Sequence, residues 1–254
     1  MLSITILGTG NLATHLFQAF NNAKNIEIQQ VYGRNKKALK AFEAHGTTTS
    51  FSLKDLLPSD IYVLSISDDS ISEVSKSLSK REGLIVHTSG AVSLTAIKGD
   101  RKGVFYPLQT FTKGKKVDFT EIPICVEAEN KNDLQLLQSL GRSISQIVCE
   151  ISTEQRQKLH LSAVLVNNFP NHLFHLAQSI CDENNIPFSL LKPLIFETVN
   201  KIRHLSPEEA QTGPAKRDDI MTMQRHMDQL QDPLQKKIYQ LLSESIKAHY
   251  EKEL

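Results

Sequence analysis

Apolar positions in the first 150 residues fall into short β-branched runs separated by stretches with helical spacing. Runs at about 2–7, 27–32, 61–66, 84–87, 103–106, 122–127 and 145–151 predict strands. Apolar residues three and four apart predict helices at about 11–24, 36–45, 70–80 and 131–142. Strands that alternate with helices imply a parallel sheet with helices on both faces. After Ile151 the pattern changes. Ser152 and Gln155 have the spacing of a capping box, and the remainder reads as helix at about 153–182, 189–204, 215–230 and 233–251. Pro170 removes a backbone donor inside the first of these and predicts a kink. The expected organisation is an α/β domain over residues 1–151 and an all-α domain over 152–254, joined without a flexible linker.

The first strand ends abruptly in Gly8-Thr9-Gly10-Asn11-Leu12-Ala13 and turns helical at once. This is how a dinucleotide-binding strand-turn-helix begins. Gly8 allows the tight turn, Gly10 lets a pyrophosphate approach the backbone, and Ala13 lets the helix pack on the strand. Free N–H groups at the helix N-terminus then face the phosphates. Gly8, Thr9, Gly10, Asn11 and Leu12 are therefore candidate cofactor residues.

The end of the second strand bears on which nicotinamide cofactor is used. An NAD site usually places Asp or Glu there to accept from the ribose 2′-hydroxyl. This chain reads Val31-Tyr32-Gly33-Arg34-Asn35-Lys36-Lys37, with no carboxylate. Arg34 has the planar fork that suits a 2′-phosphate, and Asn35 and Lys37 are further donors, so NADP is favoured. Solvated charges at the start of a surface helix are the plainer explanation. Two more loops follow predicted strands where open α/β sheets bind ligands. Ser67 and Asp68 lie in one, and Asp68 or Asp69 serves equally well as a helix N-cap. Thr88 and Ser89 lie in the other, within His87-Thr88-Ser89-Gly90-Ala91, where small residues admit a nicotinamide ring or simply form a turn.

Composition narrows the partners. The 254 residues carry 29 basic and 28 acidic side chains, a net charge of +1, which gives no electrostatic footprint for nucleic acid or an anionic membrane. No segment is apolar enough to span a bilayer, and the N-terminus enters a strand without a signal-peptide pattern, so a cytoplasmic location is expected. Cys125, Cys149 and Cys181 are widely spaced and read as core thiols, neither disulfide framework nor zinc site.

The helical half carries candidate chemistry of its own. At 3.6 residues per turn His160, Asn167, Asn171 and His175 fall in one sector, beside Asn168 and His172, with Leu165, Phe169, Leu173, Leu176 and Ile180 opposite. A solvated stripe explains this row as well as a substrate-binding face does. His172 and His175 lack a carboxylate or cysteine at useful spacing, so no metal site is expected. Further on, Thr212-Gly213-Pro214-Ala215-Lys216-Arg217-Asp218-Asp219 is a loop delivering a helix on which Asp219, Thr222 and His226 share a face. Its adjacent opposite charges fit a polar, zwitterionic substrate, or simply complement the helix dipole.

With these residues in view the chain resembles a family of NADP-dependent oxidoreductases that pair a Rossmann-like domain with a C-terminal helical domain of unknown function (DUF2520-type). That family is distantly similar to pyrroline-5-carboxylate reductase and to coenzyme-F420-dependent NADP oxidoreductase. The residues that carry the likeness are Gly8 to Ala13, Gly33-Arg34-Asn35, His87 to Gly90, Tyr106-Pro107-Leu108-Gln109-Thr110-Phe111, the His160 to Asn168 helix, and Thr212-Gly213-Pro214-Ala215 with Arg217, Asp219 and His226. Relatives often have His before the Pro-Leu-Gln turn, so Tyr106 departs from the pattern. The resemblance implies a doubly wound Rossmann-like sheet followed by an all-α domain like the C-terminal domain of 6-phosphogluconate dehydrogenase. A β-hydroxyacid dehydrogenase would show Lys and Asn four apart on the first helix of the second domain, whereas Lys158 is followed at that spacing by Ser162. The Ser/Thr/Gly-rich segment of pyrroline-5-carboxylate reductase is replaced by the Thr-Gly-Pro turn, which points to a different substrate.

The expectation is an NADP(H)-dependent oxidoreductase that moves a hydride to or from a small polar C=O or C=N compound bound between the domains. His160 is the first candidate for coupled proton transfer and His226 the second. Asn167 or Asn168 would orient the substrate, and Arg217, with Asp218 beside it, would pair with a substrate carboxylate. The alternative from another class is a non-catalytic NADP(H)-binding or redox-sensing protein. The helical half carries more apolar surface than it can bury alone, so a homodimer through that half is expected.

Overall fold

A computed structural model of the protein describes residues 1–250. The first half alternates as its apolar pattern requires: β1 (Leu2–Leu7), α1 (Asn11–Asn21), β2 (Ile26–Tyr32), α2 (Lys36–Glu43), β3 (Thr49–Ser50), β4 (Ile61–Leu64), α3 (Ile71–Leu78), β5 (Leu84–His87), β6 (Lys102–Pro107), β7 (Ile124–Ala128), α4 (Lys131–Arg142) and β8 (Val148–Glu150). These strands form one eight-stranded sheet in the order β3-β2-β1-β4-β5-β6-β7-β8. Its first six strands have the order of a dinucleotide-binding doubly wound fold. The central strands are buried on both faces, which is why β4 and β5 are continuous apolar runs without alternation. On one face Leu16, Phe17 and Phe20 of α1 and Leu137 and Leu140 of α4 pack against Ile4, Ile6, Val63 and Val126. On the other, Ile71 and Leu78 of α3 pack with Leu64 and Ile85.

Two features depart from the expected sheet. β3 is a two-residue edge strand that the apolar pattern is too short to reveal. The sheet is also not wholly parallel, because β7 runs antiparallel to β6 in the register Phe105↔Val126. No α-helix lies between Pro107 and Ile124, so nothing carries the chain across a sheet face and it turns back beside β6. Among the cysteines, Cys125 and Cys181 are buried as expected but Cys149 is exposed on the edge strand β8.

The remainder is helical: α5 (Thr153–Ala163), a π-helical turn (Val164–Asn168), α6 (Phe169–Glu183), α7 (Lys192–Lys201), α8 (Pro207–Ala210), α9 (Ile220–Gln229) and α10 (Pro233–Tyr250). The capping box is present, with Ser152 Oγ accepting from Gln155 N and Gln155 Oε1 accepting from Ser152 N. Pro170 does not act alone as a kink. The π-turn comes directly before it, where its missing N–H would have left a carbonyl unpaired. The π-turn interrupts the uniform α-helical spacing between His160 and Asn171. The chain divides into two compact units, Met1–Val166 and Asn167–Leu254, so α5 belongs to the unit that contains the sheet. Among the described residues no helix is long and apolar enough to cross a membrane.

The turn from β1 into α1 is set by backbone contact. Gly8 has φ +134°, and a methyl there would overlap the Ser65 carbonyl group that follows β4. Gly8→Ala should destabilise the protein by about 2–4 kcal/mol in urea denaturation, because strain at positive φ adds to the steric overlap. A loss below about 1 kcal/mol would show that the turn relaxes easily.

Candidate functional site

The carboxyl ends of β1, β2, β4 and β5 surround a cavity of about 550 Å³. All the candidate cofactor residues line it: Gly8, Thr9, Gly10, Asn11 and Leu12 from the first turn, Arg34 and Asn35 after β2, Ser67 and Asp68 after β4, and Thr88 and Ser89 after β5. Gly10 is the N-cap of α1 and makes no side-chain cap, and the first turn of the helix holds no acidic residue. A missing cap costs a helix about 1 kcal/mol. Burial of Leu16, Phe17 and Phe20, at roughly 1.5–3 kcal/mol each, outweighs it and leaves the first N–H groups free for an anion. A Cβ built at Gly10 meets open space, so the backbone lies bare where a pyrophosphate would approach. At the β2 end the wall is Tyr32, Gly33, Arg34 and Asn35, without a carboxylate. Asn35 doubles as the N-cap of α2, its Oδ1 accepting from Lys37 N and Ala38 N. These features fit a phosphorylated dinucleotide.

The β5 end is more constrained than its sequence indicates. Ser89 Oγ accepts from Ala91 N and Val92 N, and Thr88 Oγ1 donates to Leu64 O, so both hydroxyls brace the turn while lining the cavity. Behind the turn sits Arg156 of α5, fully buried. Its Nη1 donates to Ser89 O (2.9 Å) and Val92 O (2.8 Å), and its Nη2 to Glu127 Oε2 on β7 (3.1 Å) and Thr153 Oγ1 (3.1 Å). Gln157 Nε2 adds a bond to Ala91 O (2.7 Å). Sequence reasoning missed Arg156, because a charged residue in the first turns of an amphipathic helix reads as solvent-facing. Breaking a buried ion pair on one side costs about 3–5 kcal/mol, so this clamp is a strong constraint on the loop.

The same helix turn delivers His160. Its Nδ1 lies 3.0 Å from Tyr106 Oη, the rings meeting edge to face at 5.9 Å. Gly90 is wedged against both: an added Cβ would come within 2.6 Å of the His160 ring and 2.9 Å of Tyr106 Cζ. Tyr106, the departure from the family pattern, is thus the partner of the leading catalytic candidate, and Gly90, on which both rings pack, adjoins cavity-lining Ser89. Burial raises the Tyr106 pKa, with the neighbouring Cys125 thiol adding to it and the Arg156 charge opposing, so the phenol stays protonated. Burial likewise pushes the Cys125 thiol up to about 11.

The remaining catalytic candidates belong to the second unit. Asn167 and Asn168 close the π-turn and are exposed. Arg217 is exposed, Asp218 pairs with Lys247 (2.7 Å), and His226 Nδ1 is 2.8 Å from Tyr239 Oη. Asp219 N-caps α9 through Thr222 N. Among the described residues no group of three His, Cys, Asp or Glu side chains could hold a metal ion.

Comparison with known proteins agrees with the fold. The model of the family described as NADP oxidoreductase coenzyme F420-dependent matches residues 3–90, and that of a domain of unknown function, DUF2520, matches residues 122–246. A Bacteroides fragilis protein provisionally named as an NADP oxidoreductase is 36% identical over 97% of this chain and 98% of its own, with a TM-score of 0.89. A Thermotoga maritima protein is 20% identical, with 98% and 99% coverage and a TM-score of 0.74. A Plasmodium falciparum pyrroline carboxylate reductase, solved with NADP bound, shares the fold at 14% identity, 98% coverage of each chain and a TM-score of 0.59. No curated protein is significantly similar. The chain belongs to the NADP oxidoreductase family that carries a Rossmann-type nucleotide domain and a C-terminal DUF2520 domain.

His87, at the end of β5, gives a pH test of the clamped loop. Its Nδ1 accepts from Ser89 N (3.2 Å). Burial first and the Arg156 charge second lower its pKa to about 4, against a backbone bond at Ser93 that acts the other way. The unfolded chain binds this proton at the ordinary value of 6.5, so between pH 6.5 and 4 the unfolded state holds more protons. Stability should therefore fall as pH drops through that window, by up to about 3 kcal/mol, and His87→Gln should remove that part of the slope. Equal slopes for wild type and variant in urea denaturation between pH 7.5 and pH 4.5 would refute the assignment.

Proposed function

We propose that the protein is an NADP(H)-dependent oxidoreductase acting on a small polar C=N or C=O compound, with His160 and Tyr106 as the proton-transfer pair. The observation that carries this reading is the 3.0 Å contact between Tyr106 Oη and His160 Nδ1, packed on Gly90 beside the nucleotide cavity. NADP(H), when bound, supplies or accepts the hydride at the substrate carbon. Reduction leaves negative charge on the substrate nitrogen or oxygen, which a proton must neutralise. A protonated phenol donating to Nδ1 keeps the imidazole in the tautomer with its hydrogen on Nε2. As Nε2 releases its proton to substrate, Oη passes its own to Nδ1 and is left as a phenolate, which burial disfavours and which takes a proton from solvent to restore the pair for the next turnover. Arg156 acts through the loop it clamps and is a positioning residue. The pyrroline carboxylate reductase of the same fold favours a C=N substrate. The roles proposed for the second unit are substrate contact at Arg217 and Asp218, orientation by Asn167 and Asn168, and a second proton carrier at His226.

The test is NADPH consumption against a panel of small cyclic imines and keto acids. His160→Ala should lower kcat about 10²-fold or more and Tyr106→Phe about 10-fold, with NADPH affinity nearly unchanged in both, as expected for lost proton transfer. NADPH binding without turnover of any compound would overturn the enzymatic reading in favour of a nucleotide-binding sensor.

The second unit also supports the proposal of a homodimer. Among its described residues only Cys181 and Ala215 count as buried apolar positions, whereas Val166, at the junction, is 76% exposed, Phe196 70% and Leu241 68%. Helices with so little buried surface lack the driving force to stay folded in water. A second copy of the same surface covers it with self-complementary symmetry. Light scattering at micromolar concentration should give twice the 28.5 kDa chain mass; a monomer would refute the proposal.

A further inference from the structure

A second cavity, of about 670 Å³, opens on the other side of the glycine turn, between α1, α2 and the connection that follows β6. It shares Thr9, Asn11 and Asn35 with the nucleotide cavity. Its other lining includes Lys37, Lys113, Lys115 and Lys116, and no Asp or Glu. Among the described residues none of these four lysines forms an ion pair with a carboxylate within 4.0 Å. Four uncompensated ammonium groups around one hollow repel one another and focus positive potential into it, an arrangement that an anion relieves.

The lysine turn is held in place. Asn11 Nδ2 donates to Phe111 O (3.1 Å), His15 Nε2 is 3.1 Å from Thr112 O, and the His15 and Phe111 rings meet at 5.2 Å. Phe111 stacks on buried Phe119 on the far side of the turn. Gly114, at φ +78°, lets the chain reverse between the lysines. Residues 113–116 are therefore presented from a support attached to α1, the helix whose free N-terminus faces the nucleotide cavity.

We infer that this cavity is the seat of the ribose 2′-phosphate of NADP(H), and that Lys37 and the Lys113, Lys115 and Lys116 turn, together with the Asn35 end of α2, carry the choice of NADP(H) over NAD(H). The inference rests on the nicotinamide-cofactor reading and extends the specificity from Arg34, Asn35 and Lys37 to the segment Lys113 to Lys116, far along the chain from Arg34. A dianionic phosphate at the shared wall would touch Asn35 and the α2 N-terminus on one side and the lysine turn on the other. Ammonium groups on flexible stems suit such a role, since they act as point charges that need no fixed fork geometry.

The test is titration of the full-length protein with NADPH and NADH at two salt concentrations, for wild type, Arg34→Ala, and a triple variant Lys113→Gln/Lys115→Gln/Lys116→Gln. All three lysines are exposed, and thermal melts check that the variant folds. The expected result is a loss of NADPH affinity of tenfold or more in the triple variant, NADH affinity within twofold of wild type, and a shallower salt dependence for NADPH. Wild-type selectivity retained in the triple variant but lost in Arg34→Ala overturns this inference and leaves NADP(H) as the cofactor. An equal fall for NADPH and NADH also overturns it, since the lysines would then act only as a general field. Wild-type protein without preference for NADPH overturns the cofactor reading itself.

Discussion

A single buried guanidinium ties the candidate active site to the sheet. Among the described residues Arg156 is the one Arg, Lys, Asp or Glu with no exposed surface, and its bonds reach the Ser89 to Val92 loop, Glu127 on β7 and Thr153 at the head of its own helix. Desolvating it is offset only because two backbone carbonyls and a carboxylate receive its N–H groups. That requirement fixes the axial position of α5 against β5 and β7. His160 lies one turn further along, so the same constraint sets its ring on Gly90 and within reach of Tyr106. The loop that lines the cavity and the helix that carries His160 are positioned by one network.

Electrostatics on the cavity side follow the opposite rule. There the groups are left unsatisfied: α1 begins without a side-chain cap, Gly10 has no side chain, and among the described residues Lys37, Lys113, Lys115 and Lys116 form no ion pair. Apolar burial behind α1 outweighs the cost of those free donors, and a bound phosphate completes them. Both terminal nitrogens of Arg156 are thus paired while its Nε stays buried without a partner, and the cavity end is open.

His87 and Tyr106 respond differently to burial. His87 is enclosed, and burial holds it neutral far below its ordinary range, which removes it from proton transfer at neutral pH. Tyr106 is also enclosed, but for a phenol burial favours the protonated form, which is the form able to donate. Burial therefore silences one group and prepares the other.

Much of this was legible in the chain. Period-two and continuous apolar runs mark seven of the eight strands, the Gly8 to Ala13 turn marks the phosphate end, and Ser152 with Gln155 marks the start of α5, because each depends on neighbours within a few residues. The missing acid after β2 is equally local. What escaped depends on contacts between distant segments. The antiparallel turn of β7, the burial of Arg156, the pairing of Tyr106 with His160 across 54 residues and the meeting of the lysine turn with α2 leave no periodic trace. Asn35 and Ser89 show the intermediate case: Asn35 reads in the sequence as a cofactor donor and is also the cap of α2, while the Ser89 loop, which reads equally as a turn or a ligand loop, both braces the turn and lines the cavity. The sequence by itself determined the sheet, its nucleotide-binding end and the chemical types available. Tertiary structure decided which of those types meet, because burial and hydrogen-bond geometry arise only when segments far apart in the chain are brought together.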